Sequence, residues 1–247
     1  MEVIHLILGR ANPNRMNGVN RVVHNLATAQ TNIGKNVSVW GVTKSYKKED
    51  DLKRSYNTSW FQDHGKFVIN NELRKAIKKS PEGTVFHLHG GFLVLYYTLS
   101  VLLKRSDRTF VFTPHGTYTQ GAMEGNSFVK RVYFNFFEKK MLKRAKCIQC
   151  LGHSEKSDLQ AMFPAVKIVL IPNGQNMNEL KVSFPLELTN EFIIGYCGRI
   201  SKWHKGLDVL LESFSHYKKY FKGQGKLHLI GDGEYLKEMK RISKANH

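Results

Sequence analysis

VIHLILGRANPNRMNGVNRVVHNLATAQTNIGKNVSVWGV, residues 3–42, has the pattern of a strand, a helix and a second strand. The apolar run Val3–Leu8 is followed by a polar loop, and after Gly18 apolar residues recur every three or four positions. Gly34 stands where a helix C-terminal glycine belongs, and Val37–Val42 supplies the next strand. This order is typical of a βαβ unit and predicts a parallel sheet.

Further strands and helices follow in the same order. Each strand-like run ends in a polar or glycine-bearing turn, and in open α/β sheets the ligand crevice lies at the carboxyl ends of the strands. The pattern predicts a Rossmann-like domain over residues 1–174 and a linker over residues 175–190, where no periodicity is visible. The later predicted strands are Thr84–Leu88, Thr109–Thr113, Cys147–Leu151 and Lys167–Ile171.

A second αβ pattern begins at Phe192. A predicted helix from Gly206 to Tyr220 separates two strands, and Gly231 opens a last helix. Residues 191–247 therefore predict a second Rossmann-like parallel-sheet domain. Because a compact domain typically needs about 100 residues, we expect this second domain to be incomplete. The predicted fold class is α/β with two such domains.

The charge of the chain indicates a polyanionic partner. Lys and Arg number 38 against 20 Asp and Glu, a formal charge of +18. Nucleic acid, an anionic membrane surface and a diphosphate all fit this charge. The basic residues are spread over every predicted helix and no nucleic-acid-binding motif is visible, so we expect no nucleic-acid partner.

Other composition features concern location and metals. The start has no basic leader and no apolar run reaches the about 18 residues of a membrane span, so we expect a cytoplasmic protein. Cys147 and Cys150 lie three apart on a predicted strand and point to opposite faces, and no acidic cluster is visible. We therefore expect no metal and no cofactor.

A basic amphipathic pattern runs from Phe128 to Arg144. Two interpretations stay open: a helix whose apolar stripe packs on the core, or one that lies on an anionic membrane. The second would place the protein peripherally at the inner face of the cytoplasmic membrane. The stripe consists of Phe128, Val129, Val132, Tyr133, Phe136 and Phe137.

The loop Gly198-Arg-Ile-Ser-Lys-Trp-His-Lys-Gly-Leu-Asp208 lies between a predicted strand and a predicted helix. Unpaired N–H groups and the positive dipole end of a helix N-terminus attract anions. Arg199 can grip phosphate oxygens with two donors, and Lys205 adds a mobile charge. The loop predicts a diphosphate-binding site.

Five segments in order resemble the family 4 glycosyltransferases, which adopt the GT-B fold of two facing Rossmann-like domains. The segments are the loop with Gly18, the His-Leu-His-Gly around His89, the Thr-Pro-His-Gly-Thr around His115, the Ile-Pro-Asn-Gly around Asn173, and the Arg199 loop with the later Gly-Asp-Gly-Glu. The resemblance covers essentially the whole chain.

The resemblance implies a function and roles for single residues. It implies transfer of a sugar from a nucleotide sugar, with retention and without a required metal, to a glycan or lipid-linked acceptor in surface polysaccharide biosynthesis. His115 would be the catalytic residue, placed near the donor sugar, and Gly18 would join Arg199 and Lys205 at the donor phosphates. The residues implied for the acceptor or sugar cleft are His89, Gly116 and Asn173.

The resemblance also implies missing parts. In that family a pair of glutamates further along the second domain contacts the sugar and the ribose, and the chain ends before such a pair. We therefore expect a truncated, poorly active chain. The alternatives are a non-catalytic remnant that binds an acceptor or a membrane, a nucleotide-sugar epimerase of the same fold, and a nucleic-acid-binding protein.

Overall fold

The computed structural model describes residues 1–14, 18–44, 52–119, 123, 128–175, 192–201 and 206–245. The chain divides into two compact units, Met1–Met177 (unit 1) and Asn178–His247 (unit 2), and each is described by itself. The predicted linker over residues 175–190 lies outside the described residues except for Gln175.

Unit 1 contains a seven-stranded sheet in its described part, with the strand order β3-β2-β1-β4-β5-β6-β7. Every strand pair is parallel, as the sequence pattern predicts. The strand β3 is one that the pattern did not reveal. The strands are β1 (Glu2–Leu8), β2 (Asn36–Thr43), β3 (Asn57–Gln62), β4 (Val85–His89), β5 (Thr109–Thr113), β6 (Cys147–Cys150) and β7 (Ile168–Leu170).

The helices of unit 1 connect these strands. Local sequence defines their ends: in the second helix, for example, the Asn70 side chain accepts hydrogen bonds from the N–H groups of Glu72 and Leu73 and caps the N-terminus. The described helices are α1 (Gly18–Asn32), α2 (Asn71–Lys79), α3 (Val94–Arg105), α4 (Phe128–Tyr133), α5 (Lys139–Leu142) and α6 (His153–Met162).

The two faces of the sheet differ in polarity. Ile4 and Leu6 of β1 and Phe86 and Leu88 of β4 are fully buried in the main hydrophobic core, to which α2 and α3 contribute. Side chains alternate along a strand, so the residues between them, including His5, lie on the opposite face, where α1 packs. One face is thus apolar, and the other carries polar side chains in the centre of the sheet.

The helix from Phe128 does not bury the stripe that the sequence predicts. A π-helical segment, Phe134–Glu138, joins α4 to α5. A π-helical turn holds about one more residue than an α-helical turn, so the face that packs on the core changes along the segment. The core takes Phe134, Met141 and Leu142 instead. Of the two interpretations that the sequence leaves open, a stripe that packs on the core does not fit Phe128, Val129, Val132 and Phe136, which are exposed.

Unit 2, in its described residues, has two parallel strands, β8 (Ile193–Cys197) and β9 (Lys226–Ile230), and two helices, α7 (Leu207–Tyr220) and α8 (Leu236–Ala245). Its small core is built around Ile200, Leu207 and Met239. The last helix begins at Leu236, five residues later than the sequence pattern suggests.

Two glycines allow the loops of unit 2 to approach each other. A Cβ on Gly231 would lie 1.8 Å from the carbonyl oxygen of Gly198, and one on Gly233 would lie 2.1 Å from that of Ile200. Backbone hydrogen bonds join the same loops, with Ile200 N donating to Asp232 O over 2.9 Å. The Gly-Asp-Gly segment therefore supports the backbone on either side of Arg199.

Among the helices that the structure describes, none combines the length and the hydrophobicity that crossing a lipid bilayer requires.

Candidate active site

The loops at the carboxyl ends of three neighbouring strands carry unusual backbone conformations. Ala11 after β1, Phe92 after β4 and His115 after β5 have φ angles of 47°, 55° and 56°. Positive φ is uncommon for residues with a Cβ and occurs preferentially where the surrounding structure holds a functional site. The strained loops coincide with the edge at which open α/β sheets bind ligands.

Gln30, His5, His89 and His115 form a continuous line of hydrogen bonds, here called the histidine row. Gln30 Oε1 lies 2.7 Å from His5 Nε2, His5 Nδ1 lies 3.0 Å from His89 Nε2, and His89 Nδ1 lies 3.1 Å from His115 Nε2. The row begins on α1, crosses β1 and β4, and ends in the loop after β5. It connects a helix on one side of the sheet to the strained loop that carries His115.

Burial keeps these imidazoles neutral. It lowers the pKa of His5 to about 4, against the opposing hydrogen bond with Gln30, and lowers the pKa of His115 to about 4. The pKa values of His87 and His89 also lie well below the usual range, first through burial and then through the neighbouring histidines. Near neutral pH each ring therefore offers one donor and one acceptor nitrogen.

His87 begins a second line of hydrogen bonds on the same face. Its Nε2 lies 2.7 Å from Thr113 Oγ1, Thr113 donates to Gln149 Oε1 over 3.3 Å, and Gln149 Nε2 donates to the carbonyl oxygen of Ile171 over 2.9 Å. The line ends two residues before Asn173. It ties the carboxyl ends of β4, β5 and β6 to the segment after β7.

Glu155, on the first turn of α6, holds the loop that carries His115. One carboxylate oxygen accepts from Gly116 N over 2.6 Å and the other accepts from Leu151 N over 2.9 Å. The side chain is 3% exposed. One oxygen of a buried carboxylate thus fixes the backbone next to His115, and the other holds the carboxylate to the segment after β6.

Glu138, in the π-helical segment, holds the neighbouring loops. One oxygen accepts from Phe92 N over 2.8 Å and from the hydroxyl of Tyr118. Burial raises the pKa of Glu138, and the hydrogen bonds from Tyr118 and Phe92 oppose that rise. The carboxyl group links the loop after His89 to the loop after His115.

Three of the buried histidines are close enough to share a metal ion. Ring nitrogens of His5, His87 and His89 lie within 4.8 Å of one another. Both ring nitrogens of His5 and of His89 are used within the histidine row. We therefore interpret the cluster as hydrogen-bonded imidazoles.

The family of the chain follows from its sequence profile. The profile of Glycosyltransferase Family 4 matches residues 16–179, about two thirds of the chain and most of unit 1. The chain belongs to glycosyltransferase family 4. The matched region contains the loops with His89 and His115. None of the curated proteins matches this family 4 chain.

Solved structures match the fold. Sucrose-phosphate synthase from Thermosynechococcus elongatus has a TM-score of 0.67 at 19% identity, over 99% of this chain and 67% of its own. Anabaena HepE in complex with UDP has a TM-score of 0.69 at 17% identity, over 100% and 66%. The catalytic domain of Arabidopsis thaliana starch synthase IV, bound to ADP and acarbose, has a TM-score of 0.60 at 13% identity, over 98% and 71%.

These likenesses show that the fold is of the GT-B type. The family 4 chain spans about two thirds of the length of the solved structures it matches.

In this family 4 chain, unit 1 brings together three of the residues that the sequence singles out. His89 is 2% exposed, with both ring nitrogens bonded inside the row, so it supports His115 and is itself covered. His115 is half-buried at the end of the row, and Gly116 follows it with a φ of 79°. Asn173 is exposed in the segment after β7.

The residues predicted to bind the diphosphate belong to both units: Gly18 lies in unit 1 and Arg199 in unit 2. Gly18 begins α1, and a Cβ there would meet nothing within 4 Å. Arg199 is exposed in the loop after β8 and pairs with Glu234 over 3.2 Å. Glu234 lies two residues before α8. Lys205 lies outside the described residues.

Sequence reasoning missed His5, Gln30, Glu138 and Glu155. A signal for His5 exists, because a histidine inside an otherwise apolar strand needs a buried hydrogen-bond partner. Gln30 and the two glutamates sit within helical patterns that give no such signal, since their partners lie far away in the sequence.

Proposed function

We propose that the chain binds a nucleotide sugar and that the whole protein transfers the sugar, with retention of anomeric configuration, to a glycan or lipid-linked acceptor. Membership of glycosyltransferase family 4 supports sugar transfer. Matched structures hold UDP, UDP and glucose, or UDP-glucose, which supports a nucleotide-sugar donor. The setting we propose is surface polysaccharide biosynthesis in the cytoplasm, with hexoses as the transferred sugars and no metal or cofactor.

The observation that carries the proposal in unit 1 is the half-buried His115 at the end of the histidine row. Sugar hydroxyls are both donors and acceptors, and a neutral imidazole can bond them without bringing a charge near the anomeric carbon. The positive φ of His115 and the hydrogen bond from Gly116 N to Glu155 fix the backbone, and the hydrogen bond with His89 holds the ring. A fixed polar group is what orientation of a bound sugar requires.

In unit 2 we propose that Arg199 contacts the donor diphosphate. Cleavage of the bond between the anomeric carbon and phosphate leaves negative charge on the nucleoside diphosphate, which a guanidinium and helix N–H groups stabilise. Arg199 is exposed and its present partner, Glu234, is exposed as well. An exposed ion pair contributes little free energy, so exchange of the carboxylate for phosphate oxygens costs little.

Calorimetric titration with UDP and with ADP tests the diphosphate site. Arg199→Ala is expected to weaken binding about 10- to 100-fold, because a hydrogen bond to a charged group is worth about 1.5 to 3 kcal/mol. Arg241→Ala is the matched control, since Arg241 is also exposed in unit 2 and pairs with Glu238 over 2.6 Å. Equal affinities of Arg199→Ala and Arg241→Ala for UDP and for ADP would contradict the proposal that Arg199 binds the diphosphate.

A second candidate function, docking on an anionic membrane, is favoured by the exposed apolar face of α4 and the π-helical segment. Phe128, Val129 and Phe136 are 79%, 74% and 60% exposed. Exposed apolar side chains next to basic ones are typical of surfaces that insert into the headgroup region. The neighbouring basic residues are Lys130, Arg131, Lys139, Lys140, Lys143 and Arg144. This docking would place the protein peripherally at the inner face of the cytoplasmic membrane.

Sedimentation with phosphatidylglycerol vesicles tests the docking. The double variant Phe128→Ser, Val129→Ser is expected to bind at least about 100-fold more weakly, because each large apolar side chain that is buried in the lipid contributes about 1.5 to 3 kcal/mol and two are removed. The control is Ile33→Ser, which removes an apolar side chain of unit 1 that is 71% exposed after α1. Binding that is as tight for the double variant as for the control would exclude this face.

A further inference from the structure

We propose that Gln30, His5 and His89 are positioning residues that fix the tautomer of His115, so that its Nδ1 is a hydrogen-bond acceptor for a hydroxyl group of the ligand. The direction of the row rests on the hydrogen bonds and on the burial that keeps the imidazoles neutral. The assignment of the hydroxyl to a donor sugar rests on the proposed function.

The first step is the start of the row. The carbonyl oxygen of the Gln30 side chain lies 2.7 Å from His5 Nε2. A carbonyl oxygen only accepts, so His5 Nε2 must carry the proton. His5 is neutral near pH 7 because burial lowers its pKa, so its Nδ1 carries a lone pair and no proton.

The same pairing of one donor with one acceptor determines the proton positions of His89 and His115. His5 Nδ1 accepts over 3.0 Å, so His89 Nε2 must donate, and His89 Nδ1 is left as an acceptor. His89 Nδ1 accepts over 3.1 Å, so His115 Nε2 must donate in turn. One side-chain oxygen on α1 thus sets the proton positions of three imidazoles.

At the end of the row, a ligand can bond the Nδ1 atom of His115. His115 is half-buried, and no polar atom in the described part of the chain bonds its Nδ1. The nitrogen with the lone pair is therefore available to a hydroxyl donor. Reversal of the ring would require the other two histidines and the Gln30 amide to reverse together, because any single reversal places two lone pairs or two protons against each other.

Nitrogen-15 NMR of the full chain, labelled at histidine, tests the direction without any ligand. Scalar couplings across the hydrogen bonds are expected to link the protonated Nε2 of His89 to Nδ1 of His5, and the protonated Nε2 of His115 to Nδ1 of His89. An ordinary preference of free imidazole for one tautomer gives no such couplings. Protons on the Nδ1 atoms of the row, or histidine signals that show a bound zinc ion, would overturn the proposal.

Substitution at the far end of the row tests the coupling between its members. Gln30→Lys replaces the acceptor with a group that only donates, and it is expected to move the proton of His115 from Nε2 to Nδ1. Gln30→Glu keeps an acceptor and is expected to preserve the wild-type direction. Asn32→Lys, at the exposed end of α1, introduces the same charge as a control and is expected to change nothing. A folded Gln30→Lys chain with His115 unchanged would refute the coupling, and Gln30→Glu keeps the test available if that chain does not fold.

Binding then separates this inference from the proposed function. In Gln30→Lys, affinity for UDP-glucose is expected to fall about three- to tenfold, the value of one neutral hydrogen bond, while affinity for UDP stays unchanged. If the ratio of the affinities for UDP-glucose and UDP were the same in Gln30→Lys as in wild type, the role of the histidine row in sugar recognition would be overturned. A wild-type chain that binds neither compound would instead refute the proposed function and leave the NMR result standing.

Discussion

Acidification is expected to destabilise unit 1, and the contribution of His5 can be calculated. The pKa of His5 falls from the ordinary 6.5 to about 4 in the folded chain, through burial. The unfolded chain therefore binds a proton below about pH 6.5 that the folded chain does not bind until about pH 4. The contribution of neutral His5 to the free energy of unfolding is therefore fully present above about pH 6.5. It is lost as the pH falls from about 6.5 to about 4.

Between about pH 8 and about pH 5, this linkage removes about 2 kcal/mol of unfolding free energy through His5 alone. Burial shifts the pKa values of His87 and His89 in the same direction, so they add to the loss. Glu138, whose pKa is raised, acts with the opposite sign, because its folded form binds a proton more readily than its unfolded form. The contribution of His5 must therefore be isolated with a variant.

The assay is urea unfolding at the two pH values, followed by the fluorescence of Trp40 and Trp60, which both lie in unit 1. A Trp203→Phe background removes the remaining tryptophan. On acidification from about pH 8 to about pH 5, the free energy of unfolding of His5→Leu is expected to fall by about 2 kcal/mol less than that of the parent chain. His64→Asn, an exposed histidine after β3, is the control and is expected to behave like the parent. Equal losses in His5→Leu and the parent would refute the linkage.

Two further predictions concern stability. Gly231→Ala is expected to destabilise unit 2 by about 2 kcal/mol or more, because its Cβ would lie 1.8 Å from a backbone oxygen of the loop after β8. Gly195→Ala, where a Cβ meets nothing within 4 Å, should leave the urea midpoint nearly unchanged. Glu155→Gln is expected to cost about 1 to 3 kcal/mol, since one of the two accepting oxygens becomes an NH2 group that only donates, and one N–H partner, such as that of Gly116, is left unpaired. Thermal unfolding beside the exposed control Glu82→Gln checks this, and equal midpoints would be incompatible with the carboxylate anchor.

Much of the fold could be predicted from the sequence because local patterns determine it. The apolar runs of β1 and β2 and the helical spacing after Gly18 specify a βαβ unit, and the structure confirms this order. The strand β3 (Asn57–Gln62) was missed because its sequence, Asn-Thr-Ser-Trp-Phe-Gln, has neither a continuous apolar run nor a regular alternation. The packing of the helix after Phe128 was also missed, since a π-helical segment changes the face that meets the core.

The candidate site was less accessible from the sequence because its parts are distant along the chain. His89 and His115 stand out through the glycines that follow them, and the structure brings them together. His5 lies 84 residues from His89, and the pair depends on the placement of β1 beside β4. Glu155 is indistinguishable in the sequence from a solvated residue in the first turn of a helix. Its role appears only when the loop with Gly116 is in place.

The most direct test of sugar recognition by this family 4 chain is a paired titration with UDP-glucose and UDP on wild type and His115→Ala. We expect His115→Ala to weaken UDP-glucose binding about three- to tenfold and to leave UDP binding unchanged, because only the sugar provides the hydroxyl group that His115 is proposed to bond. His153→Ala, an exposed histidine at the start of α6, is the matched control and should match wild type for both compounds. Equal affinities of His115→Ala and His153→Ala for UDP-glucose would contradict the proposed role of His115.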